Sequence, residues 1–336
     1  MARPLSDQDL LALADALAAG AWCSGETLAA AAGISRAALA KRIAHLRDWG
    51  LDVETQPGLG YRLQSPLSRL DAEQIRSALA PYTQAYLRQL DVVLRTDSTN
   101  QRLLEAGHAA DPQMLFAEMQ SAGRGRRGRV WRSPFGANLY GSLAWSFPAW
   151  PPQLGTLPLA VGVACARAIR TLGIDDVRLK WPNDLRVGAA KLGGILIEQR
   201  GEAGGACRVV IGIGLNISMS AAQAGALDQA WTSLAQACIS AGIATPSRNL
   251  VASVLIDALI AALLQFEASG FASFLDDWNA LDAAAGQAVR VTGGAQEVIE
   301  GIACGIDADG ALIVDSAGRR RHLHAGDVSL RITGTS

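Results

Sequence analysis

The chain has 336 residues, half of them hydrophobic, with 30 basic against 31 acidic side chains and a formal charge of −1. That length suits two or three domains with well-filled cores, and the near-zero charge excludes a globally basic nucleic-acid binder, so any such contact has to come from a local patch. Five scattered cysteines without a CxxC pair, no basic-then-apolar leader and no uncharged 18-residue apolar run point to free thiols in a reducing, cytoplasmic setting and to no membrane span.

Residues 5–64 read as helices followed by a small hairpin. Leu10, Leu13, Ala14 and Leu17 mark an amphipathic first helix, and Ser24 caps a second that Gly33 ends. Ser35 caps a third, whose apolar stripe is Leu39, Ile43 and Leu46, with Arg36, Lys41, Arg42 and His45 outside it. Two helices joined by a glycine turn, the second basic outside its stripe, make a helix-turn-helix, and Leu51–Thr55, a Gln56-Pro57-Gly58 turn and Gly60–Leu63 look like its wing. These four side chains are the candidate DNA contacts; the alternative is a small helical bundle for protein contacts. Gln64–Leu70, with Pro66, reads as a linker.

Residues 71 to about 284 alternate short apolar strands with longer helices, an α+β pattern of mixed sheet and helices. Val92–Arg95 is a strand, and Asp97-Ser98-Thr99-Asn100 opens the helix carrying Leu103 and Leu104. A cap consumes one such side chain, so four in a row leave polar groups for a ligand. Leu139–Phe147 is a strand, Leu157–Leu172 a buried helix and Val177–Trp181 a strand ending at Pro182-Asn183-Asp184. Strands follow at Lys191–Glu198 and Val209–Asn216, where Gly193-Gly194 and Gly212-x-Gly214 permit close approach of a ligand or another backbone.

Gly123-Arg124-Gly125-Arg126-Arg127-Gly128-Arg129 cannot be explained as core, helix face or ordinary turn. Its glycines free the backbone, its guanidiniums suit phosphate or carboxylate oxygens, and no Asp or Glu occurs from Met119 to Ile174 to neutralise them. Something anionic belongs there. The spelling also matches a dinucleotide fingerprint, but no helix opens from it and the next acidic residue is Asp175, so that reading fails. Lysine occurs only at Lys41, Lys180 and Lys191, and a retained lysine in an arginine-rich chain hints at a site wanting a compact ammonium. Residues 286–332 hold short β-like runs punctuated by glycine, among them 297–303, which suggests a small barrel; His322-x-His324 lacks the partners of a metal site and is read as surface strand.

Ser98-Thr99-Asn100, Gln120 before the arginine–glycine loop, Ser133-Pro134-Phe135-Gly136-Ala137-Asn138-Leu139-Tyr140, Lys180-Trp181-Pro182-Asn183-Asp184 and Lys191-Leu192-Gly193-Gly194-Ile195-Leu196 occur in order, and together they resemble the biotin protein ligases, with Gly193 where alanine is more familiar. The winged helix in front resembles the bifunctional kind that also represses. The resemblance covers nearly the whole chain. It implies a winged helix at 1–66, a class II synthetase-like ligase domain with a mixed sheet at 67–284, and an SH3-like β-barrel at 285–336.

The resemblance further implies ATP-dependent formation of biotinyl-5'-AMP and transfer of biotin to a lysine of biotin carboxyl carrier protein, with Mg2+ on the substrate phosphates. Lys191, Arg126 and Asp184 would then be catalytic. Ser98, Thr99, Asn100, Gln120, Gly123, Arg124, Gly125, Arg126, Lys191 and Gly194 would hold biotin, and Arg126, Arg129, Trp131, Lys180, Asn183, Asp184, Asn216 and Trp231 would hold ATP. Operator DNA, bound by an adenylate-promoted homodimer, is the further expected partner. A biotin-responsive regulator without catalysis and a lipoate-type ligase are the rival readings.

Overall fold

The computed structural model describes residues 5–107, 111–201, 206–225, 229–293, 298–326 and 328–333. Its first part is α1 (Asp7–Ala16), α2 (Gly25–Ala31) and α3 (Arg36–Asp48), followed by the hairpin β1 (Val53–Gln56) and β2 (Gly60–Leu63). Ser6, Ser24 and Ser35 each accept a backbone N–H at the N-cap of these helices, which is why each starts where it does. Leu10, Leu13, Leu28, Leu39, Ile43, Leu46, Val53 and Leu63 close a small core. Phe135 from the next domain belongs to that core and is 1% exposed.

The expected linker is extended but tied down. Arg248 and Glu118 form a buried ion pair at 2.7 Å; Glu118 Oε1 accepts from Leu70 N at 2.6 Å, and Arg248 donates to the carbonyls of Ser68 and Asn138. A buried pair of charges persists only when its remaining donors and acceptors are satisfied, and here the linker backbone satisfies them.

The central part contains α4 (Ala72–Ala78), α5 (Pro81–Tyr86), β3 (Gln89–Thr96), α6 (Thr99–Glu105), β4 (Gln113–Gln120), β5 (Leu139–Phe147), α7 (Leu157–Thr171), β6 (Val177–Lys180), β7 (Asp184–Val187), β8 (Ala190–Gly201), β9 (Cys207–Leu215), α8 (Ala221–Ala224), α9 (Leu234–Ala241), α10 (Arg248–Ser269) and α11 (Leu275–Leu281). Its seven-stranded sheet runs β3-β4-β5-β9-β8-β7-β6, parallel between β3 and β4 and antiparallel elsewhere. Strand alternation divides the side chains between two faces. Met114, Phe116, Leu143, Trp145, Val209 and Ile211 meet the core that includes α7 and α10, whereas Leu115, Ala144 and Val210 meet Leu103 and Leu104 of α6.

Among the described helices α10 alone is long and apolar enough to cross a bilayer, a feature the expectation of no membrane span did not anticipate. Val251, Ala252, Leu255, Ile256, Leu259, Ile260 and Leu263 are instead buried in the protein core, so its apolarity is explained by packing.

The last part is a five-stranded antiparallel sheet of β10 (Ala288–Thr292), β11 (Val298–Ile306), β12 (Leu312–Ser316), β13 (Arg319–Leu323) and β14 (Ser329–Ile332), ordered β13-β12-β11-β10-β14. Residue 297 of the expected 297–303 strand lies outside the described residues. The sheet is fastened to the centre by Trp181 Nε1 donating to Gly310 O at 3.1 Å and by Ile306 N donating to Asn279 Oδ1 at 3.0 Å.

Candidate functional site

Two short sequence segments are brought to the α6 face of the sheet. Ser98 caps α6 and places Thr99 and Asn100 in its first turn, all three buried. Gln120 ends β4 beside them: its Oε1 accepts from Thr99 N at 2.9 Å, and its Nε2 donates to Ser133 Oγ at 3.0 Å. Below lies Ser142, fully buried, whose hydroxyl is 2.7 Å from Thr99 Oγ1 and donates to Asn100 Oδ1 at 2.5 Å. This polar ladder in an apolar setting suits a ligand group with both donors and acceptors.

The glycines of β9 make room for protein side chains. A methyl at Gly212 would come within 2.3 Å of Asn100 Oδ1, and one at Gly214 within 2.4 Å of the Trp131 indole, so Asn100 and Trp131 rest directly on the strand. Gly194 lies under Trp131 and Lys191, while a methyl at Gly193 would meet Gly214 O, Leu215 and Leu185. An alanine at 193 would thus press on the backbone of the strand that floors the slot.

The arginine–glycine segment folds back on itself. Gly125 N donates to Arg129 O at 2.7 Å and Trp131 N to Gly123 O at 2.8 Å, with Arg127 and Gly128 at φ 59° and 71° making the tip. Arg124 reaches Glu198 Oε2 at 3.1 Å. Arg126 bonds Asn183 Oδ1 at 3.3 Å and the carbonyls of Ala325 and Gly326, linking the loop to the C-terminal sheet.

Across the cavity, Lys191 Nζ is 2.6 Å from Asp184 Oδ1 and 5.4 Å from the centre of the Trp131 ring. Lys180 Nζ is 3.9 Å from Asp184 Oδ2. Burial pushes the Lys180 pKa down, Asp184 opposes the shift, and the positive charges of Arg186, Lys191 and Arg129 add to it. Lys191 N donates to Ala230 O and Thr232 N to Lys191 O, each at 2.9 Å, so the segment carrying Trp231 runs alongside.

Every residue expected to hold biotin or ATP lies on one cavity of about 180 Å3, open to solvent, except Gly123, which lines the adjoining groove. Ser98, Thr99, Asn100 and Gln120 occupy one end; Arg126, Arg129, Lys180, Asn183, Asp184 and Lys191 occupy the other, with Asn216 and Trp231 beside them. Sequence reasoning missed Ser142 and Glu198, which had no signal beyond their place in a strand. On α3, Arg36, Lys41 and His45 are exposed, but Arg42 lies 3.5 Å from Asp9 of α1 with its side chain only 16% exposed. The outward face therefore carries three of the four expected contacts, because α1 covers the position next to the apolar stripe.

A winged helix joined to an α+β domain with a deep polar slot and a cationic anion loop defines the class: a ligand-activating domain under a DNA-binding one. Family models agree part by part: "HTH domain" matches residues 17–62, "Biotin/lipoate A/B protein ligase family" 92–216 and "Biotin protein ligase C terminal domain" 285–331. The chain is 43% identical over 322 residues to the bifunctional ligase/repressor BirA of Salmonella typhimurium, covering 96% of this chain and 97% of that one. It is 43% identical over 316 residues to the bifunctional ligase/repressor of Escherichia coli, covering 94% and 95%. With the biotin–[acetyl-CoA-carboxylase] ligase of Mycobacterium tuberculosis it shares 36% over 275 residues, 80% of this chain and 97% of that one. In fold it matches the biotin protein ligase of Aquifex aeolicus solved with biotin and ATP, with a TM-score of 0.61 and 24% identity, over 73% of this chain and 100% of that one. The chain belongs to the biotin protein ligases, in the branch that joins ligase and repressor in one polypeptide.

Proposed function

We propose that the cavity activates biotin with ATP and passes it to a protein lysine. The observation that carries this reading is the Lys191–Asp184 contact of 2.6 Å at the cationic end of a cavity whose other end is the Thr99–Gln120–Ser142 polar ladder. In the first step a biotin carboxylate oxygen attacks the α-phosphorus of ATP, the bond from phosphorus to the bridging oxygen breaks, and pyrophosphate leaves. Both reactants are anions. Lys191, Arg126 and Arg129 neutralise the charge that gathers on the phosphoryl oxygens, and Asp184 bridges the two lysines, favouring the charged form of Lys180, until substrate oxygens replace it.

In the second step the neutral amine of an acceptor lysine attacks the acyl carbon, the bond to the AMP oxygen breaks, and the surplus amine proton passes to solvent. The mixed anhydride is sensitive to water. Trp131 on the Gly194 and Gly214 floor, and Trp231 beside Lys191, exclude water from it. Asp184, beside the amides of Asn183 and Asn216, would hold a largely hydrated Mg2+ shared with the substrate phosphates, a donor set suited to that and not to a protein cage. There it would offset phosphate charge.

The division at 66/67 and 284/285 is part of the same reading, as are the partners. On its outer side β8 pairs with β7 only as far as Gly194, so Ile197–Gly201 offers an unpaired sheet edge among the described residues. That edge suits either a second copy or the acceptor, biotin carboxyl carrier protein, but not both together, and a dimer would present two winged helices to a two-half-site operator. The five cysteines are unpaired, three of them buried, in keeping with a reducing cytoplasm. Biotin-dependent exchange of labelled pyrophosphate into ATP tests the reading: the full chain catalyses exchange, and Lys191→Ala loses at least about a hundredfold of it. No exchange with the unaltered chain overturns catalysis and leaves a biotin-responsive regulator; exchange driven better by lipoate reassigns the acid.

A further inference from the structure

Glu198 lies on β8 at the rim of the slot, opposite Val210 in register and on the face that carries Gly212 and Gly214. Its Oε2 accepts twice, from Asn100 Nδ2 at 2.9 Å in the slot floor and from Arg124 Nη2 at 3.1 Å in the cationic loop. Arg124 is steadied by Gln101 Oε1 at 3.0 Å, and Asn100 Nδ2 also reaches Leu196 O at 3.1 Å. A carboxylate beside a loop that receives two anions works against their binding unless it has another task. The geometry supplies one, because a single oxygen joins the root of the loop to the residue that lines the ring end of the slot.

We infer that Glu198 is a positioning residue that latches the loop, through Arg124, onto the Asn100 floor and so sets how long the acyl-adenylate is retained. The inference rests on the ligase reading above. Arg124 is 39% and Glu198 27% exposed, so water competes for both partners and the latch opens and closes readily. Neutralising Arg124 also leaves the positive charge of the site concentrated at the Lys191 end, where the carboxylate and α-phosphate meet. Closure of the loop root over the ring end traps the adenylate without touching its reacting atoms.

The test uses the full chain, labelled biotin and ATP to form the adenylate, then a chase with unlabelled biotin. Glu198→Ala and Arg124→Ala each speed release by about tenfold, the double variant is no faster than either single one, and the KM for ATP and the unfolding midpoint stay put. Glu198→Gln keeps an oxygen for Asn100 but lacks the charge that holds Arg124, and it releases nearly as fast as the alanine variant. Multiplying effects in the double variant, or a lowered unfolding midpoint with unchanged release, would overturn the latch. No adenylate from the unaltered chain overturns the ligase reading, and the latch with it.

Discussion

The backbone N–H of Phe135 donates to the carbonyl of Trp49 at 2.9 Å, and the two rings lie 5.1 Å apart. A residue from the motif that closes the ligand loop thus completes the core of the winged helix. Gln223 Nε2 donating to Gly50 O at 2.8 Å and Ser220 Oγ to Asp52 Oδ2 at 2.5 Å reinforce the same junction from α8. Phe135→Ala should therefore cost roughly 3–5 kcal/mol, as other buried aromatic truncations do. It should also split unfolding into two transitions, the winged helix melting first. Calorimetry of the full chain checks this, and a single unshifted transition would refute the shared core.

Ser142 offers a cleaner separation of binding from stability. Its hydroxyl supports both Thr99 and Asn100 from beneath, and an alanine of nearly equal volume leaves the strand packing intact. Removing it leaves the Asn100 oxygen short of a buried donor, at a cost of about 1–3 kcal/mol. We expect Ser142→Ala to weaken biotin binding tenfold or more while the KM for ATP is unchanged. Titration calorimetry with biotin, set beside the exchange assay, separates the two. Equal loss for both substrates would mean that Ser142 serves the fold and not the slot.

Elements with strong periodicity and a cap were readable in the chain: Ser35 and the Leu39–Ile43–Leu46 stripe of α3, and β5 with its ends at Leu139 and Phe147 as expected. The short β7 was hidden because Asp184 read as the end of a turn, and four residues carry too little alternation to show a strand. The site motifs announced themselves by residue type, but their supports did not. Ser142 meets Asn100 from 42 positions away and Glu198 meets it from 98, and such contacts are created only when strands are ordered in the sheet. Arg42 shows the complementary limit: helical spacing says what is off the apolar stripe, not what a neighbouring helix will cover.

Asp282 sits at the joint between the central part and the C-terminal sheet, where burial raises its pKa from 3.8 to about 6 against the opposing hydrogen bond from Ala284 N. Its Oδ2 has no hydrogen-bond partner. Between these two values the folded protein holds a proton that the unfolded chain has lost, so stability falls as pH rises from about 4 to about 6 and stays lower above. Asp282→Asn keeps an oxygen for Ala284 and removes the charge. The variant should be more stable than the parent at pH 7, by roughly 2–3 kcal/mol at most, with the gap closing towards pH 4. Denaturant melts at several pH values decide it; a gap independent of pH would remove the carboxylate as its source.

On α3, exposure divides the cations by task. Arg36 and Lys41 stand outward, Arg36 only loosely paired with Glu26 at 3.5 Å, whereas Arg42 packs against Asp9. A cation that neutralises a phosphate releases a counterion, so its removal lowers the slope of log affinity against log salt by about one. With a duplex selected in vitro for two half-sites, and biotin and ATP present, Arg36→Ala and Lys41→Ala should each weaken binding, with any loss of a phosphate contact read from the slope. Arg42→Ala should leave the slope unchanged and lower the unfolding midpoint by releasing α1 from α3. If Arg42→Ala instead flattens the salt dependence while Arg36→Ala does not, α3 meets DNA through a different face than the one it exposes.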